Sequence, residues 1–445
     1  MSEANVDDEI TEGDEPLVRL PRGKRLLFAA ILYVIFLSDV IVRYGVNAIL
    51  PLIQEDLEIS ATQVGFLSSA VFLGMAIFVM PISFVGENKS QRRAISFCSI
   101  LWSGATVFCG MANSALHLII NRFFVGAGNS AYAPLSTAMM TSWYKNASWG
   151  KVLGIYNTAM VVGGALGFMV FASLADQYGW RMAFYIIGGM SLAASLLSLI
   201  LPDNRKLMAA QGAKRSKKAC KDADEISQIK LNARETVKLV IDNKALLFMC
   251  LAAGLAIFSV NICSTFISIF YVSVKEMSVT TAAKIIALGT PFSMVAYPVG
   301  GAILDRWYKK DPRAHVWMPM LSVFATGVVC GVGYGFSCVP LIVVGTAIYS
   351  IGNTSFHIVS QELVPVWYKS VSYGVYVLFI QFFGAMGPII GGGLVDIFGV
   401  QMALIYAQVL MVVSTGLMLY TGNIYLKYFK KARRAEAEKG ICQNP

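Results

Sequence analysis

The chain has 445 residues, of which 56% are hydrophobic and 14% are charged, and its formal net charge is +10. A water-soluble domain of ordinary composition does not bury that much apolar surface, so the composition excludes a soluble globule and indicates a protein that lipid covers. The positive charge does not indicate nucleic-acid binding, because the basic residues are spread over separate loops instead of forming one surface.

Twelve apolar runs reach the roughly 20 residues that a helix needs to cross a hydrocarbon core. They predict an all-α integral membrane protein whose spans 1 to 12 lie at 26–49, 64–85, 94–112, 116–142, 151–173, 181–201, 245–271, 281–304, 316–336, 339–361, 370–395 and 400–426. A mixed-charge stretch interrupts the pattern at 202–244. We therefore expect an N-terminal tail (1–25), a six-helix bundle (26–201), a linker (202–244), a second six-helix bundle (245–426) and a C-terminal tail (427–445).

The loops that carry most of the Lys and Arg residues all fall on one side of the predicted spans. The positive-inside rule makes that side cytoplasmic, so we expect both termini in the cytoplasm and the protein in the cell membrane. An acidic stretch precedes span 1, which is too long for the apolar region of a signal peptide, so we expect span 1 to be retained. The basic cluster at 214–218 is either a solvated linker or a contact to anionic lipid headgroups.

An internal repeat supports two equivalent halves. Residues 128–150 (GNSAYAPLSTAMMTSWYKNASWG) and 352–374 (GNTSFHIVSQELVPVWYKSVSYG) share Gly-Asn, Trp-Tyr-Lys and a final Gly at a constant offset. Repeated helical halves are the usual construction of secondary transporters, whose substrate site lies near the bilayer midplane. The repeat therefore indicates a transporter.

A loop motif gives the first family resemblance. Residues 301–306 (GAILDR), followed by Lys309 and Lys310, resemble the loop motif of the major facilitator superfamily, and 84–93 (FVGENKSQRR) is a degenerate copy. The resemblance implies twelve transmembrane helices in two pseudo-symmetric six-helix bundles. It also implies that these loops gate the inner ends of the helices, through Lys89, Arg92, Arg93, Asp305 and Arg306.

Residues 122–134 (RFFVGAGNSAYAP), 179–181 (GWR) and 63–69 (QVGFLSS) resemble the anion:cation symporter and spinster-like branches of that family. The resemblance implies that Arg43, eight residues before Pro51, binds an anionic substrate and that Arg122 corresponds to a second family arginine. Relatives carry acids where this chain has Val42 and Asn129. We expect Asp39, one turn before Arg43, to take part of that acidic role.

Asp39, Arg43 and Asn47 are spaced by four and therefore share one stripe of span 1. A charge in hydrocarbon is costly, so such residues normally face a cavity or a partner. We interpret Arg43 as the anion-binding cation and Asp39 as its partner or a proton-coupled switch. The alternative is a purely structural bridge from Asp39 to Arg43 or to Arg122.

Other polar residues are weaker candidates. Arg122 either binds substrate or braces span 4, while Asn129 and Tyr132 either line the same cavity or join helices. In span 10, His357 either relays protons near neutral pH or packs as a hydrogen-bonded residue. Gln361 follows it as a substrate-binding candidate and Glu362 as a protonation candidate.

The residues also exclude several classes of function. The eight cysteines show no CxxC and no histidine partners at metal spacing, and no phosphate loop or nucleophile-and-base arrangement is present. We expect no enzyme, no metal and no cofactor. The prediction is a monomeric secondary transporter that moves a small organic anion (carboxylate, sulfonate or sugar acid) by alternating access, driven by a proton or sodium gradient or by exchange. The alternatives are a lysolipid or amphipathic-compound transporter and a non-transporting sensor of the same anion.

Overall fold

The computed structural model describes residues 18–144, 149–204, 206–207, 242–365 and 369–438, which are helical throughout apart from short connections. The α-helices in these ranges are α1 (Arg22–Asp56), α2 (Ala61–Asn88), α3 (Gln91–Gly110), α4 (Ala115–Asn129), α5 (Tyr132–Thr141), α6 (Trp149–Tyr178), α7 (Trp180–Leu196), α8 (Lys244–Ser273), α9 (Val279–Tyr308), α10 (Ala314–Gly335), α11 (Val339–Glu362), α12 (Lys369–Phe398) and α13 (Val400–Glu438). A 3₁₀ turn, Leu197–Ile200, extends α7. Residues 1–17 and the basic cluster at 214–218 lie outside the described residues, as does most of the predicted linker.

Eleven helical segments of the described chain are long and apolar enough to cross a membrane. They correspond to all the predicted spans except span 4, which confirms the all-α membrane fold. The protein is therefore a multi-pass integral membrane protein.

Span 4 differs from the prediction of one continuous helix over 116–142. The chain forms α4 and α5 there, with an interruption at Ser130 and Ala131. Pro134 has no N–H, so the carbonyl of Ser130 lacks the partner that a regular helix would supply four residues later. Proline is tolerated in the first turn of a helix, which fits the start of α5 at Tyr132.

The fold comprises two compact units. The first is Met1–Ile49 with Ala70–Lys217, and the second is Leu50–Ser69 with Lys218–Pro445. Two helices, α1 and α2, therefore run from one unit into the other, and the turn between them belongs to the second unit.

In the first unit, serine hydroxyls join α3 to α7 and its 3₁₀ extension. The Ser103 hydroxyl lies 2.9 Å from those of Ser191 and Ser195, and Ser198 donates to Ser96 at 2.8 Å. Hydrogen bonds and close packing hold helices together in lipid, where apolar surfaces gain little by leaving the lipid tails. We call these five side chains the serine ladder.

Glycines bring α1 and α6 into backbone contact in the same unit. A Cβ atom on Gly167 would lie 2.8 Å from the carbonyl oxygen of Ile41, and one on Gly45 would lie 2.7 Å from that of Gly167. Any larger residue would push the helices apart, so this contact fixes the position of the polar stripe on α1.

In the second unit, the end of α12 holds the start of α2. The Asp396 carboxylate accepts hydrogen bonds from the N–H groups of Ala61 and Thr62, at 2.9 Å each, and from the Thr62 hydroxyl at 2.5 Å. One turn earlier, a Cβ on Gly392 would overlap the carbonyl of Ala61. We call this contact the Asp396 cap.

Candidate functional site

The polar stripe on α1 contains an ion pair. Arg43 donates through Nη2 to Asp39 Oδ2, as the spacing of four predicts. Asp39 is 1% exposed and the Arg43 side chain 16%. The pair is incompletely satisfied, because Asp39 Oδ1 and Arg43 Nε are buried with no hydrogen-bond partner in the described chain.

Arg122, on α4, is a second buried cation in the first unit. Its side chain is 2% exposed, and its Nε and Nη1 atoms have no hydrogen-bond partner among the described residues. It interacts electrostatically with Arg43. Asp39 pairs with Arg43, so the bridge from Asp39 to Arg122 is not formed, and the three side chains carry two formal positive charges against one negative.

Asn129 extends this polar region along α4. It lies seven residues after Arg122 and therefore on the same helix face. It is 2% exposed, and neither Oδ1 nor Nδ2 has a hydrogen-bond partner in the described chain. Because α4 ends at this residue, the unsatisfied amide lies directly beside the interruption of span 4. On α1, Asn47 is also buried, one turn beyond Arg43.

Tyr132 braces the site. Its hydroxyl donates to the carbonyl of Leu32 at 2.8 Å, so α5 is tied to α1. Phe36 on α1 stacks on both Tyr132 and Tyr156, with ring centroids 6.3 and 4.6 Å away. Tyr156, on α6, interacts electrostatically with Asp39 and Arg43. No pattern in the sequence marks Tyr156, because its position depends on how α6 packs against α1.

The second unit contains the candidates from span 10. Gln361 is half-buried, whereas the side chain of His357 lies outside the described residues. Glu362 contacts two residues that the sequence did not single out: His315 Nδ1 lies 2.7 Å from its Oε2, and the Tyr425 hydroxyl donates to the same oxygen at 2.6 Å.

The predicted gating loops differ in their contacts. Arg92 donates through Nη2 to the carbonyl of Leu199, which ties the start of α3 to the extension of α7. The other predicted gating residues are exposed: Lys89, Arg93, Asp305 and Arg306. No group of three or more His, Cys, Asp or Glu in the described chain is arranged to hold a metal ion. The chemistry available at the α1 and α4 site is therefore charge pairing and hydrogen bonding.

The class is that of a polytopic helical membrane protein with a charged intramembrane site. It is defined by long membrane-spanning helices, a duplicated half and two largely shielded arginines beside one carboxylate. Residues 32–388 match the Major Facilitator Superfamily, and the chain belongs to this family. The family consists of transporters and not of enzymes, as the sequence predicts.

Known relatives are distant. The probable sulfoacetate transporter of Cupriavidus necator is 27% identical over 191 residues, or 42% of this chain and 44% of the relative. The hexuronate transporter of Bacillus subtilis is 21% identical over 284 residues, or 64% and 65%. The chain therefore spans less than two thirds of the length of these relatives.

The fold also matches a solved structure. A bacterial homologue of the human lysosomal transporter Spinster, in an inward-facing and unoccupied conformation, superposes with a TM-score of 0.74 at 17% identity, over 92% of this chain and 99% of that one. Distant relatives include both anion transporters and a spinster homologue, which confirms the two resemblances in the sequence.

Proposed function

We propose that this protein is a secondary active transporter of small organic anions and that the anion binds Arg122 and Arg43 in the first unit. The observation that carries the proposal is the Arg122 guanidinium, 2% exposed, with two nitrogen atoms unpartnered among the described residues. A buried charge without a counter-ion is strongly unfavourable, and intramembrane charges commonly mark a substrate path.

The charge count indicates the kind of anion. While Asp39 is ionised it balances one of the two arginines, so a single negative group would neutralise the site; when Asp39 is protonated, both guanidinium groups are available to the anion. Carboxylates and sulfonates suit this role, since planar guanidinium groups bind oxyanions through parallel, charge-assisted hydrogen bonds. Hexuronate, which appears in the name of one relative, carries one carboxylate, and sulfoacetate, in the name of another, carries a carboxylate and a sulfonate.

Neutral groups complete the proposed site. Asn129 and Asn47 would hydrogen-bond the uncharged part of the substrate, and Tyr132 would keep α5 against α1. Broken membrane helices in transporters often lie at the substrate site, because the interruption releases backbone and side-chain polar groups. The interruption beside Asn129 supports the same location.

Asp39 supplies the proposed coupling group. It competes with the substrate for Arg43, so protonation of its carboxylate would release the guanidinium to the anion. We therefore propose that the anion is transported together with a proton. The alternative mechanisms are sodium coupling and anion exchange. Proteoliposomes with an imposed pH gradient distinguish these cases, because anion uptake that is independent of the gradient would contradict proton symport.

The binding test uses thermal unfolding of the purified full-length protein with carboxylates, sulfonates, sugar acids and lysolipids. A ligand that binds the folded state stabilises it by about 2.7 kcal/mol at a hundred times its Kd. We expect one class of small anion to stabilise the wild type and not Arg122→Gln. The matched control is Arg434→Gln, at the exposed end of α13, which should respond like the wild type.

The outcomes separate the alternatives. Stabilisation by lysolipids alone, equal in wild type and Arg122→Gln, would contradict the anion site and support an amphipathic substrate. A stabilising anion that wild-type proteoliposomes do not exchange would indicate a sensor instead of a transporter.

We also propose that both termini are cytoplasmic, on the basis of the basic loops. In a background without native cysteines, Lys310→Cys should react with a membrane-impermeant thiol reagent only after cells are permeabilised. Lys275→Cys, near the opposite face in the predicted topology, should react in intact cells. The reverse pattern would contradict the orientation.

A further inference from the structure

Three helices of the second unit converge on one carboxylate. His315 lies in the first turn of α10, Glu362 ends α11 and Tyr425 lies on α13. Both His315 Nδ1 and the Tyr425 hydroxyl contact Glu362 Oε2, at 2.7 and 2.6 Å. The contacts link residues 47 and 63 positions apart in the chain, so they exist only when the helices are packed.

The cluster is largely shielded from solvent. Tyr425 is fully buried, and the side chains of His315 and Glu362 are 9% and 15% exposed. The Tyr308 ring, from the end of α9, stacks on the imidazole with centroids 4.2 Å apart and planes 15° apart. Four helices therefore meet at this one histidine and carboxylate.

Other charged groups nearby are few. Arg433 on α13 interacts electrostatically with Tyr308 and Tyr425, and it lies over the Phe429 ring at 5.4 Å. In the loop before α10, Arg313 pairs with Asp311 at 3.7 Å. Glu362 forms its described ion-pair contact with His315, so the charge of the imidazole directly affects this carboxylate.

The geometry leaves one position for an added proton. The Tyr425 hydroxyl donates to Oε2, and an ionised Glu362 accepts a second hydrogen bond from Nδ1–H of His315. The other ring nitrogen, Nε2, then carries a lone pair in the neutral imidazole. Protonation at Nε2 adds a positive charge to the imidazole, so the hydrogen bond to the carboxylate becomes a salt bridge and strengthens.

The position along α13 brings the cluster within reach of water. Tyr425 is 25 residues beyond Val400, the first residue of α13, which corresponds to about 38 Å of helix. A hydrocarbon core is about 30 Å thick, and a tilt of about 20° shortens the projected length only to about 35 Å. This length places Tyr425, and with it Glu362 and His315, near a membrane surface when α13 enters the hydrocarbon at Val400.

We propose that His315 and Glu362 form a proton-binding site that fastens α10 and α11 to α13 when His315 is protonated. Histidine is the side chain that most often acts as a pH switch in proteins, so a change in pH is the perturbation that tests the site. The proposal does not depend on the anion site, which lies in the first unit.

The first test is thermal and chemical unfolding of the full-length purified protein between pH 8 and pH 6. The folded chain holds a carboxylate against His315 and the unfolded chain does not, so acidification should favour the folded wild type relative to His315→Gln. One linked proton changes the ratio of folded to unfolded protein by up to tenfold per pH unit. His117→Gln removes an exposed histidine and is the matched control, whose pH dependence should follow the wild type.

The second test observes the proton directly. The chain has three histidines, so NMR of protein labelled at histidine gives few imidazole signals, and the His315→Gln spectrum identifies the one from His315. We expect this signal to change with pH in the wild type and its pH dependence to differ in Glu362→Gln. If His315→Gln does not fold, Tyr425→Phe replaces it. This variant keeps the pair of His315 and Glu362, so its His315 signal should depend on pH as in the wild type.

Two results would overturn the proposal. One is a His315 signal that does not change its charge between pH 5 and 8. The other is a titration or a pH dependence of stability that is the same with and without the Glu362 carboxylate.

Discussion

The hydrogen bonds of the Asp396 cap determine how much it stabilises the start of α2. Asp396→Ala removes two hydrogen bonds to backbone N–H groups and one to the Thr62 hydroxyl. Loss of a side-chain cap at a helix N-terminus costs about 0.5–2 kcal/mol, and loss of a negative charge there costs about 0.3–1 kcal/mol. Asp396 itself is exposed, so water replaces part of the lost interactions and the total should be about 1–2 kcal/mol.

Hydrogen exchange measures this change where it occurs. Local opening of the first turn of α2 exposes its amide groups, and a loss of about 1–2 kcal/mol should make them exchange roughly 5 to 30 times faster. Asp396→Asn keeps an oxygen acceptor and loses only the charge, so we expect about a two- to fivefold increase. The control Asp311→Ala removes a carboxylate from another loop. Unchanged exchange over 58–69 in Asp396→Ala would refute the reasoning.

Three further predictions concern the first unit. Asp39→Asn leaves two guanidinium groups without a carboxylate and should lower the free energy of unfolding by about 3 kcal/mol. The double variant with Arg122→Gln should restore part of this loss, and strictly additive effects of the two substitutions would contradict the charge argument. Ser103→Ala should lower the free energy of unfolding by about 1 kcal/mol, since it removes two hydrogen bonds and those between membrane helices average about 0.6 kcal/mol each. A stability equal to that of the wild type would show that the serine ladder contributes nothing. The buried indole N–H of Trp143 donates to Asn204 at 2.8 Å. Asn204→Ala removes this acceptor and should lower the free energy of unfolding by about 1–3 kcal/mol, and a shift in tryptophan fluorescence checks the change at Trp143.

Local patterns predicted much of the fold. Apolar length located eleven of the twelve spans, because a membrane helix must satisfy its own backbone and face lipid along most of its length. Spacing by four also placed Asp39 and Arg43 on one face, and the structure pairs them. The interruption of span 4 was missed although Pro134 marks it, since hydropathy alone does not register a missing N–H.

Contacts between distant helices were not predictable in the same way. The spacing of Arg122 shows its depth in span 4 but not whether a carboxylate faces it, which depends on how α4 packs. His315 follows the charged loop of Asp311 and Arg313 and has no periodic partner, so nothing local connects it to Glu362 or Tyr425. Both candidate sites therefore depend on tertiary packing that a single sequence does not encode in a readable pattern.

The serine ladder has a consequence for helix register. On α7 and its 3₁₀ extension its members Ser191, Ser195 and Ser198 lie three to four residues apart, whereas on α3 Ser96 and Ser103 lie seven residues, or about two turns, apart. A slide of one turn, about 5.4 Å, would still bring Ser103 against a serine of α7. Each hydroxyl both donates and accepts, so the ladder alone does not select one alignment. Two asymmetric contacts select one alignment: Trp102 Nε1 donates to Ser191 at 3.2 Å, and Gly188 lies so close to Val107 that a Cβ there would be 2.8 Å from its side chain. The hydroxyls therefore hold the two helices together, and one indole and one glycine fix their register.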